Sequence, residues 1–265
     1  MTYSPGIPAS FGMAGKTVVV TGGATGIGAK YASAFAAAGV NVVIVDLPSA
    51  AAAGQAVAAE IGQSTGAEAV FAEADVTSDR DLARLVEKTQ NAFGSLDMLV
   101  NNAAIYGGLG AKRGLEALSV EEWDTVLRVN ARGTWQAIKA ASSVMKAQGS
   151  GRIVNISSVV ARTGVPGFVH YVAAKAAVEG LTRAAARELG RYGITVNAVA
   201  PGLVDGEASR ELNPDTYFDA VARSRALVSP LYADDLVGTI LWLCSSAGGR
   251  VTGQTIVVDG GGLFV

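Results

Sequence analysis

Three valines that run straight into four glycines constrain this chain more than any other stretch. Val18-Val19-Val20 leads through Thr21 into Gly22-Gly23-Ala24-Thr25-Gly26-Ile27-Gly28. β-Branched residues without polar alternation predict a strand buried on both faces, which belongs in a parallel sheet covered by helices. Ala29 to Ala38 is rich in alanine, with Tyr31 and Phe35 four apart, so a helix follows the turn. Glycines let the backbone come close to a ligand. The helix start adds unpaired N–H groups and a partial positive charge, which suit a phosphate. The spacing is Gly-x3-Gly-x-Gly (Gly22, Gly26, Gly28), and by itself it also fits a flexible turn. Asp46 adds meaning. It closes the apolar run Val42-Val43-Ile44-Val45, 18 residues beyond Gly28, where a dinucleotide fold places the carboxylate that holds the ribose hydroxyls.

Strand and helix patterns alternate through the rest of the chain. An alanine-rich helix is expected over 49–61, a short strand at Ala69-Val70-Phe71 leading to Asp75-Val76, and a helix opened by Thr77-Ser78-Asp79 and running to Phe93. A strand at Leu96 to Val100 ends in Asn101-Asn102-Ala103-Ala104, and a glycine-rich loop covers Tyr106 to Gly114. Ser119-x-x-Glu122 reads as a capping box that starts a long helix to about Ala147. A fifth strand covers Gly151 to Ser158, a long helix Tyr171 to Tyr192, and a sixth strand Thr195 to Ala200, stopped by Pro201-Gly202. Residues 203–226 are polar and irregular, with helical hints at Tyr217 to Arg225. A helix from Asp234 to Ser245 and a strand at Thr255 to Val258 complete the pattern. This order predicts one doubly wound α/β domain over residues 15–265, with about seven parallel strands and the site at their carboxyl ends. Residues 1–14 lack periodicity and read as an arm.

Composition narrows the setting. Half of the 265 residues are hydrophobic and the mean hydropathy is +0.34, enough for a large core. No apolar run reaches the ~18 residues of a membrane span, and no charged-then-apolar leader opens the chain. The charge balance, 21 − 23 = −2, without a basic cluster, argues against nucleic acid. One cysteine, Cys244, and one histidine, His170, point to a reducing cytoplasm and to no metal site. Cys244 reads as helix core, His170 as a helix-start surface or interface residue, and Trp123, Trp135 and Trp242 as packing.

Tyr171 and Lys175 are four apart in a helical stretch, so they share a face. A phenol that titrates near 10 becomes a useful acid or base only when something favours the phenolate. An ammonium ~4 Å away at an effective dielectric of ~20 supplies about the required few kcal/mol. Ser158 ends the fifth strand, 13 residues earlier, and can donate to a substrate oxygen, while Ser157 should face the other way. Asn130 lies in the long helix before that strand.

The glycine-rich turn, Asn101-Asn102-Ala103-Ala104, Asn130, Ser158, Tyr171-x3-Lys175 and Pro201-Gly202 together resemble the short-chain dehydrogenase/reductase family from about Gly15 to Gly262. The resemblance implies a Rossmann-type domain with Tyr171 as acid/base. Lys175 would tune Tyr171 and bind the nicotinamide ribose, Ser158 would orient the substrate oxygen, and Asn130 would hold a water that relays protons to Lys175. It further implies cofactor contacts from Gly22, Thr25, Gly26, Ile27, Gly28, Asp46, Asp75, Val76, Asn102, Ala103, Tyr171, Lys175, Pro201, Gly202 and Val204. Two positions depart from the family: Ala104 where a glycine is usual, and Gly206 where a threonine often binds the carboxamide or phosphate. Asp205, Glu207 or Ser209 are the residues near enough in sequence to substitute for that threonine.

Charge selects the cofactor. Asp46 repels a 2′-phosphate, Leu47 is not basic, and the turn carries no arginine or lysine, so NAD is expected over NADP. Apolar candidates for the substrate walls are Tyr106, Val160, Val165, Phe168, Leu203 and Tyr217. They predict a secondary alcohol or ketone of modest size, cyclic or aromatic. The alternatives are a 3-oxoacyl thioester reductase, with Arg113 and Arg162 as its basic residues, and a non-catalytic NAD-binding protein. By the same resemblance, the helices at 119–147 and 171–192 and the C-terminal strand and tail would build a homotetramer.

Overall fold

The computed structural model describes residues 11–265. Its elements, in chain order, are β1 (Thr17–Thr21), α1 (Gly26–Ala37), β2 (Asn41–Asp46), α2 (Ala51–Thr65), β3 (Ala69–Glu73), α3 (Asp79–Phe93) and β4 (Met98–Asn101). There follow α4 (Val120–Leu127), a π-helical turn (Arg128–Gly133), α5 (Thr134–Gln148), β5 (Gly151–Ile156), α6 (Val160–Thr163) and α7 (Val169–Leu189). The last elements are β6 (Ile194–Pro201), α8 (Glu207–Arg210), α9 (Asp215–Ser224), α10 (Asp234–Cys244) and β7 (Thr255–Val258).

All seven strands are parallel, in the order β3-β2-β1-β4-β5-β6-β7. The order reverses between β1 and β4, where Thr21 pairs with Asn101. That reversal opens a crevice at the carboxyl ends of the strands. The valine run behaves as its lack of alternation predicts. Val18 and Val20 pack on one side with Tyr31 and Phe35 of α1 and with Leu236 and Ile240 of α10. Val19 packs on the other with Leu82 and Leu85 of α3, Ile138 and Met145 of α5, and Leu189 of α7. The result is three layers, helix on sheet on helix.

Two expectations are corrected by this packing. The helix expected over 119–147 is interrupted at Arg128–Gly133. There the Asn130 side chain leaves the helix pattern: its Oδ1 accepts the Ile105 amide at 2.7 Å and its Nδ2 donates to the Ile105 carbonyl at 3.1 Å. The segment at 203–226 is more regular than expected: α9 bears out the helical hints at Tyr217 to Arg225, and α8 precedes it. Of the expected N-terminal arm, residues 1–10 lie outside the described residues; Met13 is buried, and the Phe11 carbonyl accepts the Ser246 amide at 3.1 Å. Cys244 is buried in α10, as expected. Trp123 and Trp135, expected in packing, are 37% and 47% exposed on α4 and α5. Among the described residues no helix is long and apolar enough to cross a membrane.

Candidate active site

The crevice over the β1/β4 reversal is a cleft of ≈ 610 Å³. At one end the turn after β1 is drawn against the loop after β4. A Cβ on Gly22, whose φ is +62°, would stand 2.8 Å from the Ala103 Cα, and one on Gly28 only 2.0 Å from the Gly22 carbonyl oxygen. Side chains are therefore excluded from both positions by their neighbours. Asn102 locks the arrangement, its Nδ2 donating to the Thr21 carbonyl at 3.1 Å and the Gly22 carbonyl at 2.9 Å. Both hydrogens of that amide are committed to the turn, so Asn102 acts by holding the glycines.

The α1 start has no side-chain cap and no acidic residue in its first turn. Its free amides face the cleft together with Thr25, Gly26 and Ile27. A Cβ on Gly26 would meet nothing within 4 Å. This is an open, positively polarised cradle that fits a pyrophosphate. Asp46 stands beside it at the end of β2, its Oδ2 accepting the Ala24 amide at 3.1 Å and its Oδ1 the Leu47 amide at 2.9 Å. Further acceptor capacity remains for ribose hydroxyls. Asp75, Val76, Ala103, Pro201, Gly202 and Val204 line the same cleft. The donor set fits a nicotinamide dinucleotide.

At the other end are Ser158, Tyr171 and Lys175. Tyr171 and Lys175 project from one face of α7, with the ammonium 5.6 Å from the phenol ring centroid. Lys175 Nζ donates to the Ile156 carbonyl at 2.8 Å, and burial pushes its pKa down to about 8. Tyr171 is buried. Burial, with Tyr106 beside it, pushes the phenol above its usual range, while the nearby Ser158 hydroxyl pulls the other way. The expected lowering by Lys175 is not found here: burial dominates, and Lys175 does not enter among the influences on the phenol. Ser157 turns away, as expected, and donates to the Lys175 carbonyl at 3.0 Å.

Asn130 does not line the cleft, and its amide is spent on Ile105. Its side chain therefore fixes the loop that carries Tyr106. His170 is buried, not at the surface as expected. All six expected wall residues, Tyr106, Val160, Val165, Phe168, Leu203 and Tyr217, do line the cleft. Arg113 and Arg162, the basic candidates for a thioester carrier, pair with Glu122 and Glu179. Near Gly206, Ser209 reaches the cleft, whereas Asp205 is tied to Arg210 at 2.6 and 2.8 Å. Sequence reading missed Lys112 and Asn213, which line the substrate end and bond to each other at 2.8 Å.

A doubly wound parallel sheet with a glycine-lined dinucleotide cradle and a half-buried serine beside a buried tyrosine and lysine defines a nicotinamide-linked oxidoreductase. Comparison with known proteins agrees. The family model described as enoyl-(acyl carrier protein) reductase matches residues 22–262. A 3-oxoacyl-[acyl-carrier-protein] reductase of Synechocystis sp. is 38% identical, over 93% of this chain and 96% of its own length. Among solved structures, a dehydrogenase/reductase from Sinorhizobium meliloti 1021 is 36% identical with a TM-score of 0.87, covering 97% of this chain and 98% of its own. Levodione reductase is 30% identical, also with a TM-score of 0.87, over 94% and 97%. The chain belongs to the short-chain dehydrogenase/reductase family.

Proposed function

We propose that this enzyme interconverts a secondary alcohol and a ketone by hydride transfer to or from NAD. The observation that carries the reading is the cleft with Asp46 at one end and Ser158, Tyr171 and Lys175 at the other. Tyr171 exchanges the hydroxyl proton of the substrate, Ser158 donates to the substrate oxygen as charge develops on it, and Lys175 orients the ribose. A nicotinamide held between Asp46 and Lys175 would supply the hydride acceptor or donor. Asp46 supports NAD: its carboxylate disfavours a 2′-phosphate, and no arginine or lysine of the turn offsets it.

The substrate end is walled by Tyr106, Val160, Phe168 and Tyr217, which suits a ring-sized ketone. A 3-oxoacyl thioester is the second reading. The name of the Synechocystis relative favours it over the ring-sized ketone. Both readings share one step on a ketone and differ in what the carbonyl carries. The pairing of Arg113 and Arg162 with carboxylates weighs against a docked acidic carrier. We further propose a homotetramer of the cytoplasm. Half-exposed Trp135 and exposed Val120 mark one unpartnered face, and Leu227, Val228, Phe264 and Val265 another. The test is a panel of cyclic and aromatic ketones beside acetoacetyl-CoA, each with NADH and NADPH. Turnover of ring ketones with NADH supports the reading. Turnover of acetoacetyl-CoA alone selects the thioester, and no turnover at all leaves a nucleotide-binding protein without catalysis.

A further inference from the structure

Lys112 is the unpaired cation of the substrate end. Its Nζ stands 4.4 Å from the Tyr217 ring centroid and 5.7 Å from that of Phe168, and donates to Asn213 Oδ1 at 2.8 Å. Asn213 is 7% exposed, and its Nδ2 donates to the Ser209 carbonyl at 3.0 Å, so the acceptor cannot turn away. The stem is held as well: a Cβ on Gly167 would stand 2.6 Å from the Lys112 Cβ, and the Arg113 amide donates to the Gly167 carbonyl at 3.3 Å. An ammonium fixed in this way keeps donors free. Neighbouring guanidiniums have carboxylate partners, Arg113 with Glu122, Arg162 with Glu179 and Arg210 with Asp205. Among the described residues no carboxylate pairs with Lys112.

The reach from this cation to the chemistry is set by one side chain. The Tyr106 ring lies 5.3 Å from the Tyr171 ring; burial raises the Tyr106 phenol pKa, with Ser209 and Asn213 pulling the other way. Lys112 and Tyr171 thus line one cleft with the Tyr106 ring between them, beside Phe168 and Tyr217. We propose that Lys112 is the specificity residue of this cleft and that the substrate is a ring-bearing oxo or hydroxy acid whose carboxylate meets the Lys112 ammonium. The proposal rests on the oxidoreductase reading above. A carrier's phosphate, separated from the 3-oxo carbon by the whole pantetheine arm, is too far to be this anion.

The test is calorimetric titration of 4-acetylbenzoate and of its methyl ester into the full-length protein saturated with NAD. A ketone and the oxidised cofactor form a dead-end complex, so binding is read without turnover. The expected result is at least ~10-fold tighter binding of the carboxylate, as one charge-assisted contact provides. Lys112→Arg keeps that difference and Lys112→Met abolishes it. A lysine that only ties the two loops together would change both ligands alike. Equal affinities in the wild type, a preference for the ester, no binding of either probe, or a preference that survives Lys112→Met each overturns the proposal. Failure of the ketone panel with NADH speaks to the reaction instead and leaves this charge difference measurable.

Discussion

Asp46 and Ala24 are joined across the cofactor end of the cleft, the carboxylate Oδ2 accepting the Ala24 amide at 3.1 Å. One side chain thereby shapes the turn after β1 and keeps a negative charge where β2 ends. Asp46→Ala removes both effects. A hydrogen bond to a charged group contributes ~1.5–3 kcal/mol, so kcat/KM with NAD should fall ~10- to 100-fold while the preference over NADP narrows. Steady-state kinetics with both cofactors check this. Equal wild-type efficiency with NAD and NADP contradicts the role given to Asp46.

Tyr171 sets opposite pH dependences for the two directions. Burial favours the protonated phenol, so the base form accumulates only as pH rises. Alcohol oxidation consumes the phenolate and should climb with pH. Ketone reduction consumes the phenol and should decline at the alkaline end. Profiles of kcat/KM measured both ways that slope in the same direction contradict this assignment.

Lys175 gives the fold its own pH signature. Its pKa is about 8 in the folded protein, against ~10.4 in an unfolded chain. Between those values the unfolded state holds the proton and the folded state does not, so stability rises with pH across that window. Below it both states are protonated, and the cost of burying the charge is fully present. Chemical denaturation of the cofactor-free protein should show a gain on the order of 3 kcal/mol from ~pH 8 to ~pH 10.4. Lys175→Met should flatten that rise, and an equal rise in the variant would assign it elsewhere.

Asn130 is a positioning residue. Asn130→Ala leaves the Ile105 amide and carbonyl without their partner. The expected cost is ~1–3 kcal/mol of stability. Displacement of Tyr106 should lower kcat a further ~10- to 100-fold. Thermal melts together with kcat read both effects, and an intact kcat in a destabilised variant limits Asn130 to folding.

The architecture was legible because its signals are local. The unalternated valines of β1, the Ser119/Glu122 capping box and the four-residue step from Tyr171 to Lys175 each lie within one short segment. What escaped depends on partners far along the chain. The π-helical turn follows from an Asn130 bond to a backbone 25 residues away, and apolar spacing on either side continues through it. Lys112 looks like any loop lysine until Asn213, 101 residues on, is folded against it. Arg113 and Arg162 find their partners Glu122 and Glu179 closer in sequence, 9 and 17 residues on, but only when the helices pack. The raised Tyr171 phenol pKa depends on depth of burial, which the four-residue spacing to Lys175 does not reveal.

The central claim is that the Tyr171 hydroxyl moves the substrate proton. The most direct measurement compares wild type and Tyr171→Phe in ketone-dependent loss of NADH absorbance, with NADH affinity measured separately by fluorescence. General acid–base catalysis contributes ~10²- to 10⁴-fold. The expected result is a loss of that size in kcat with NADH binding retained. A Tyr171→Phe variant as active as the wild type contradicts the account.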